Sequence, residues 1–298
     1  MTRTKSDLWK ALALVSPSII LVGVFVYGFI GWSLRVSLSA WSGIRPDFTF
    51  VGLRNYADLF RSPRFIIDLQ NTFYFTLFFI AVTIVLGFVL AFLVNKRIRG
   101  EGIFRTLYLF PMALSFIVTG VIWRWLLSPR FGINVLLSRL SEQLGSFGWY
   151  TVTTEVFGFH LALIGLVLAA SWQFTGYTMA MYLAGLRGVP DELVESARMD
   201  GASELYVVRK IILPLLRPIT LSAMIVLGHI SLKIFDLVYA MSGSGPAFVT
   251  DFPAIFMFET TFRGNRYAQG ASISIIMLLM VAFVVIPYLV NTFRREHQ

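Results

Sequence analysis

The stretch ESARMDGA (195–202) sets two acids, a run of small residues and a glycine inside a chain that is otherwise mostly apolar. Its surroundings read LRGVPDELVESARMDGASELYVVRKIILPLLRP (186–218). Pro190 stands where a helix can start, because its missing N–H costs nothing there. Asp191 and Glu192 follow in the first turn, where the helix dipole favours acids. Leu193, Val194 and Ala197 recur at helical spacing and form one apolar face. Gly201 can take the left-handed conformation that closes a helix. Ser203 can cap a second helix through Val207, Val208, Ile211 and Ile212. Pro214 and Pro218 limit that helix and mark entry into the next apolar segment. The expected structure is two short helices at an angle, outside the bilayer. Such an elbow can rest on the lipid surface. It can equally dock on a partner, with Ser196, Ala197 and Ala202 allowing close backbone approach and Glu195 and Asp200 supplying ion pairs at the rim.

Outward from this elbow the chain is membrane-grade. It has 298 residues, 57% hydrophobic and only 14% charged, with a mean hydropathy of +0.74. Soluble domains carry about 25% charged residues. Six segments, at roughly 12–35, 71–94, 104–127, 157–186, 215–240 and 268–292, are long enough to cross about 30 Å of hydrocarbon. The first is too long for a signal peptide and lacks a small-residue cleavage site, so it is expected to stay as a span. These features predict an all-α membrane protein of about six transmembrane helices, a single transmembrane domain over 1–298 with its elbow at 187–214.

The net charge of +9 comes from short basic blocks at segment ends, which is a topology signal and not a nucleic-acid surface. Arg3, Lys5 and Lys10, the block KRIRGEGIFR (96–105), the elbow, and Arg294 with Arg295 form the denser set. Both termini and the elbow are therefore expected in the cytoplasm, with 36–70, 128–156 and 241–267 outside. The absence of cysteine excludes disulfides and thiol chemistry. His160, His229 and His297 are dispersed, so no metal site is expected. A phosphate-cradling G-x-x-x-x-G-K-[ST] loop is absent, and none of the five lysines stands in that frame. The chain is expected to bind no nucleotide cofactor and to catalyse nothing by itself.

Ionisable groups inside spans default to function. Lys233 and Asp236 stand three apart in the fifth segment and could pair on one helix face, extended by His229. In the fourth segment Trp172, Gln173 and Tyr177 lie near mid-depth, and amides with aromatic rings can line the path of a solute that has both polar and apolar faces. The bland alternatives are a neutralised pair snorkelling to the interface and ordinary aromatic packing.

The elbow also resembles a known family signature. Glu195-Ser196-Ala197-x-x-Asp200-Gly201-Ala202, followed by Ile211-Ile212-Leu213-Pro214, is similar to the EAA motif of ABC-importer permeases, E-A-A-x-x-x-G then I-x-L-P. Ser196 replaces the first alanine, small for small. Val189-Pro190 and Glu192-Leu193 match the longer form seen in sugar permeases of the maltose and glycerol-phosphate type. Asn71-Thr72, GIFRTLYLFP (102–111), IWRWLLSPRFGINVLL (122–137), LAGLRGVP (183–190) and SGSGP (242–246) agree with it, so the resemblance covers nearly the whole chain. It implies a MetI-like type I importer permease fold in a bacterial or archaeal inner membrane. It also implies that Glu195, Asp200 and Gly201 enter a cleft of a separate ATPase subunit. The implied partners are two such ATPases using ATP and magnesium, a second and different permease chain, an extracytoplasmic solute-binding protein and membrane lipid. The implied cargo is a carbohydrate, with glycerol phosphate the alternative because an anion would welcome Lys233. An ion-coupled secondary transporter would need midplane coupling carboxylates in duplicated halves, and an intramembrane enzyme would need clustered acid and base groups. Neither pattern is present.

Overall fold

The structure is a computed structural model that describes residues 5–95 and 100–296. Arg3, the first four residues of the basic block at 96–105, and His297 lie outside the described residues. Along the chain run α1 (Lys5–Val22), α2 (Phe29–Ser37), α3 (Arg54–Arg61), α4 (Pro63–Val94), α5 (Glu101–Leu109), α6 (Phe116–Leu126), α7 (Ile133–Leu137) and α8 (Glu142–Gly145). A short antiparallel hairpin, β1 (Glu155–Val156) and β2 (Phe159–His160), follows. Then come α9 (Leu163–Leu186), α10 (Asp191–Met199), α11 (Glu204–Val207), α12 (Leu213–Leu215), α13 (Arg217–Leu232), α14 (Asp236–Met241), α15 (Pro253–Phe258) and α16 (Tyr267–Glu296).

Contacts divide the chain into two units, Met1–Ser62 with Phe256–Leu279, and Pro63–Ile255 with Met280–Gln298. In the first, α1 continues through a π-helical turn at Gly23–Gly28 into α2, giving the apolar run Ala13–Ser37. The segment after α2 is pinned by side chains. Asn55 Nδ2 donates to the carbonyls of Ser37 and Ser39 at 2.8 Å each. The backbone N–H of Ala268, at the start of α16, donates to Trp41 at 3.0 Å.

The second unit is built on α4 and α9. The buried residues of α4 (Phe65, Asp68, Asn71, Thr72, Phe75, Phe79, Thr83, Gly87, Ala91 and Val94) recur every three or four positions, with Asn71 and Thr72 adjacent, and form one seam along the helix. Phe75 stacks on Phe79 at 5.5 Å, and Phe79 meets Phe174 of α9 edge-on at 5.8 Å. Near the other end, an added Cβ at Gly87 would lie 2.7 Å from Thr178, so glycine sets the closest approach of the two helices.

Two expected spans are broken. The 104–127 segment bends by 100° between Glu101–Ala113 and Phe116–Leu126. Pro111 lacks a donor, Leu114 and Ser115 turn extended, and Ser115 Oγ caps the new helix by accepting from Val118 N–H at 3.3 Å. The 215–240 segment is helical to Leu232, opens over 233–235, and resumes at Asp236. Among the described residues, three continuous helices, Ala13–Ser37, Pro63–Val94 and Tyr267–Val290, have the length and apolarity of spans, and the bent pairs Glu101–Ala113 with Phe116–Leu126 and Glu204–Leu215 with Arg217–Leu232 raise that number to five. The fourth expected segment, 157–186, starts as the hairpin and becomes helical only at Leu163. At 1.5 Å per residue, the 24 residues of α9 reach about 36 Å, enough to cross. Sixteen of them are buried, so α9 tolerates Ser171, Gln173, Thr175 and Thr178 where a lipid-facing helix would be apolar.

Candidate coupling elbow and membrane cavity

The elbow forms as its sequence dictates. α10 starts at Asp191, with Pro190 as the preceding cap residue in extended conformation, one position earlier than expected for the proline. It ends at Met199, and Gly201 takes φ +82°. The N–H of Ala202 then reaches back to Ala197 O at 3.0 Å, and that of Gly201 to Arg198 O at 3.0 Å, satisfying carbonyls the helix end would orphan. Ser203 Oγ accepts from Tyr206 N–H at 3.4 Å and caps α11. α11 passes through a π-helical turn, Val208–Ile212, into α12, and the chain bends by 66° into α13.

One side of the elbow is packed and the other is bare. Val194, Ala197, Ala202, Val208 and Ile211 pack against a core of Val207, Ile212, Leu186 and Leu183 with Ala91 and Val94 at the end of α4. Glu195, Ser196, Asp200 and Gly201 are exposed, beside Met199 at 88% and Leu205 at 62%. A rigid stub with exposed apolar tips and unpaired acids is suited to insertion in a cleft of another protein.

Two ion pairs hold this corner, and sequence spacing announced neither. Arg198 Nη2 lies 2.8 Å and Nε 2.9 Å from Glu204 Oε1, tying α10 to α11 across Gly201. Arg187 binds Glu101, tying the end of α9 to the start of α5.

The second site is a cavity of about 690 Å³ between the two helix breaks. Its walls include Leu114 and Ser115 from the first break, Gln173 of α9, and Lys233, Phe235 and Asp236 from the second. Gln173 Nε2 donates to Leu114 O at 2.9 Å, capturing a carbonyl that the break frees. Its buried Oε1 has no protein partner among the described residues. Lys233 and Asp236 both line the cavity, but not as a helical i, i+3 pair. Lys233 ends α13 and Asp236 begins α14, and no ion pair joins them among the described residues. Irregular backbone at membrane depth is tolerated where it lines such a cavity. Trp172, Tyr177 and His229 fall outside this lining. Trp172 packs edge-on against Trp123 at 5.9 Å, Tyr177 is half-buried, and His229 stands one turn before Lys233.

A third cluster escaped sequence reasoning. Asn71 Nδ2 donates to the carbonyls of Phe248 and Asp251 at 3.1 and 3.0 Å, and its Oδ1 lies 2.8 Å from His160 Nδ1. Arg64 pairs with Asp251, whose carboxyl is pushed up by burial and drawn down by that guanidinium. His160, expected to be solitary, is thus part of a fastener joining the start of α4, the hairpin and the loop before α15.

Residues 83–295 match the family "Binding-protein-dependent transport system inner membrane component". A Pyrococcus horikoshii protein described as a "Probable ABC transporter permease protein" is 39% identical over 99% of this chain and 100% of its own length. The xylose/arabinose import permease protein XacH of Haloferax volcanii is 35% identical, covering 93% of this chain and 86% of that one. The trehalose/maltose transport system permease protein MalF of Thermococcus litoralis is 30% identical over 95% of this chain and 94% of that one. Among solved structures, a bacterial ABC transporter involved in import of the acidic polysaccharide alginate superposes with a TM-score of 0.76 at 20% identity, over 97% of this chain and 98% of that chain. The same kind of transporter has been solved in complex with an alginate pentasaccharide-bound periplasmic protein.

The family match and the relatives, with the fold, define a membrane-embedded permease of the ABC-importer type. The chain belongs to the inner-membrane components of binding-protein-dependent transport systems, a family of non-catalytic transmembrane subunits.

Proposed function

We propose that this chain is one transmembrane subunit of an ATP-driven, binding-protein-dependent importer of a neutral mono- or disaccharide or small glycoside. The corner at Glu195, Ser196, Asp200 and Gly201, exposed above the half-buried Ala197 and Ala202, carries the proposal: it is a stub shaped for a cleft, on a chain whose sequence has no nucleotide-binding loop of its own. In this scheme two ATPase subunits bind ATP and magnesium, close on the elbow, and switch the helix bundle from inward- to outward-facing. A second permease chain completes the pathway, and an external binding protein delivers the solute. Both termini and the elbow face the cytoplasm.

The carbohydrate assignment is supported by the relatives named for xylose/arabinose and trehalose/maltose, and by the cavity. A cavity of about 690 Å³ has the volume of a small-ligand pocket. Its one cation and one anion, Lys233 and Asp236, leave it near neutrality, which suits a polyol better than an anion. Uptake of a panel of labelled sugars into cells or vesicles tests this. A neutral sugar is expected to be taken up, and Gln173→Ala and Asp236→Asn are expected to raise its KM. Uptake of glycerol phosphate alone, with Lys233→Gln abolishing it, would overturn the neutral-sugar assignment and leave the permease role intact. Glu195→Lys is expected to lose the co-purifying ATPase. Unchanged ATP-dependent uptake in that variant would remove the coupling role.

A further inference from the structure

The bend between α12 and α13 creates a second pocket, of about 400 Å³, on the elbow end of the bundle. Arg209, Leu213, Pro214, Arg217, Thr220 and Leu221 line it. On a straight helix Arg209 and Arg217 would stand about 12 Å apart along the axis. The 66° bend at Leu216 brings both to the walls of one pocket. Neither has an ion-pair partner among the described residues, and Lys210 is exposed beside them.

Thr220 also lines a third cavity, a groove of about 560 Å³ between α4 and α13. That groove is almost wholly apolar, walled by Thr76, Ile80, Ala81, Ile84, Val85 and Met224 among others. It runs along α4 from Val85 to Leu69, about 24 Å at the helical rise. It is open sideways, since Leu77, Val85 and Met224 on its wall are exposed. A cationic pocket and an apolar trough the length of a fatty chain thus adjoin at one shared wall residue, Thr220.

We infer that this composite site holds one anionic membrane phospholipid, with its phosphate between Arg209 and Arg217 and one acyl or isoprenoid chain along the α4–α13 groove. The two unpaired guanidinium groups supply charge complementarity, and the groove takes the apolar half of the same molecule. Basic pockets at the ends of membrane helices capture anionic headgroups in this way. Arginine forks match phosphate oxygens in pairs. The site lies at the foot of the helix that leads from the elbow, so a bound lipid would brace the bend through which elbow motion reaches α13.

Native mass spectrometry of the full chain in phosphatidylcholine nanodiscs, titrated with phosphatidylglycerol, tests the inference. One tightly held phosphatidylglycerol per chain is expected. Removing both cations in R209Q/R217Q should weaken it about 25-fold, and R209K/R217K should retain most of the binding. Ala81→Trp, which plugs the groove and leaves the cations in place, should also weaken it, and inorganic phosphate should not compete. Unchanged binding in both R209Q/R217Q and Ala81→Trp would overturn the inference. So would equal competition by inorganic phosphate, the mark of a headgroup-only anion site. A photo-crosslinker at Met224 is expected to capture lipid; capture of a second permease chain would assign the groove to a protein neighbour and overturn the lipid.

Discussion

Gly201 shows how little of the elbow depends on side-chain space. Nothing lies within 4 Å of the Cβ that a substitution would add, yet φ is +82°. The obstacle is the backbone, at about 1–2 kcal/mol for an ordinary residue held in the left-handed region. Gly201→Asn, whose side chain tolerates that region, should keep the corner, while Gly201→Val should open it. Thermal unfolding and ATPase co-purification read the difference. Arg198 and Glu204 test the same corner electrostatically. Each is about half exposed or more, so their coupling should be about 0.2–1 kcal/mol in a double-mutant cycle, shrinking at high salt. Arg198→Glu and Glu204→Arg should each impair coupling, and the double variant should recover it. The glycine was legible in the sequence because helix closure is local punctuation. The ion pair was not, because six residues routed through a left-handed turn match no helical period.

At the scale of elements, glycines decide where helices may touch. A Cβ at Gly176 of α9 would sit 1.8 Å from the carbonyl oxygen of Tyr108 in α5, against backbone that cannot move aside. Gly176→Leu should cost about 3 kcal/mol or more and reduce the yield of folded protein, as followed by fluorescence-detection chromatography. A Cβ at Gly185 meets Ile219 Cδ1 at 2.0 Å, the end of a flexible side chain, so Gly185→Ala should be milder. The contrast ranks the two contacts in one assay. The existence of these helices was readable from apolar runs, but their breaks were not. LKIFD (232–236) contains no proline or glycine, and the opening there precedes the close packing of α14 on α6, where a Cβ at Gly120 would lie only 2.6 Å from Leu237 O. That break, invisible locally, takes Lys233 and Asp236 off a shared helix and sets both on a cavity wall. Gln173 was legible as a polar residue at mid-depth, but its second duty, holding Leu114 O, depends on a bend that the proline at 111 only hints at.

For the whole molecule, the energy source is the sharpest expectation. Uptake in vesicles should stop when ATP is hydrolysed away and persist when ionophores collapse ion gradients; the reverse outcome would favour ion coupling. Family and architecture were legible from end to end, because the elbow signature and the apolar runs are both sequence-local. Which span is wrapped by the others was less so, and α9 is the case in point. Its polar face is acceptable only because neighbouring helices surround it. This has a consequence for biogenesis. α4, α5 and α6 are synthesised before α9, so the seam that shields Gln173, Thr175 and Thr178 already exists when α9 leaves the ribosome. On its own, α9 is a poor candidate for partition into lipid. It should enter the bilayer against α4 as a preformed wall, and a ribosome-stalled fragment lacking α4 should leave α9 on the aqueous side of the translocon.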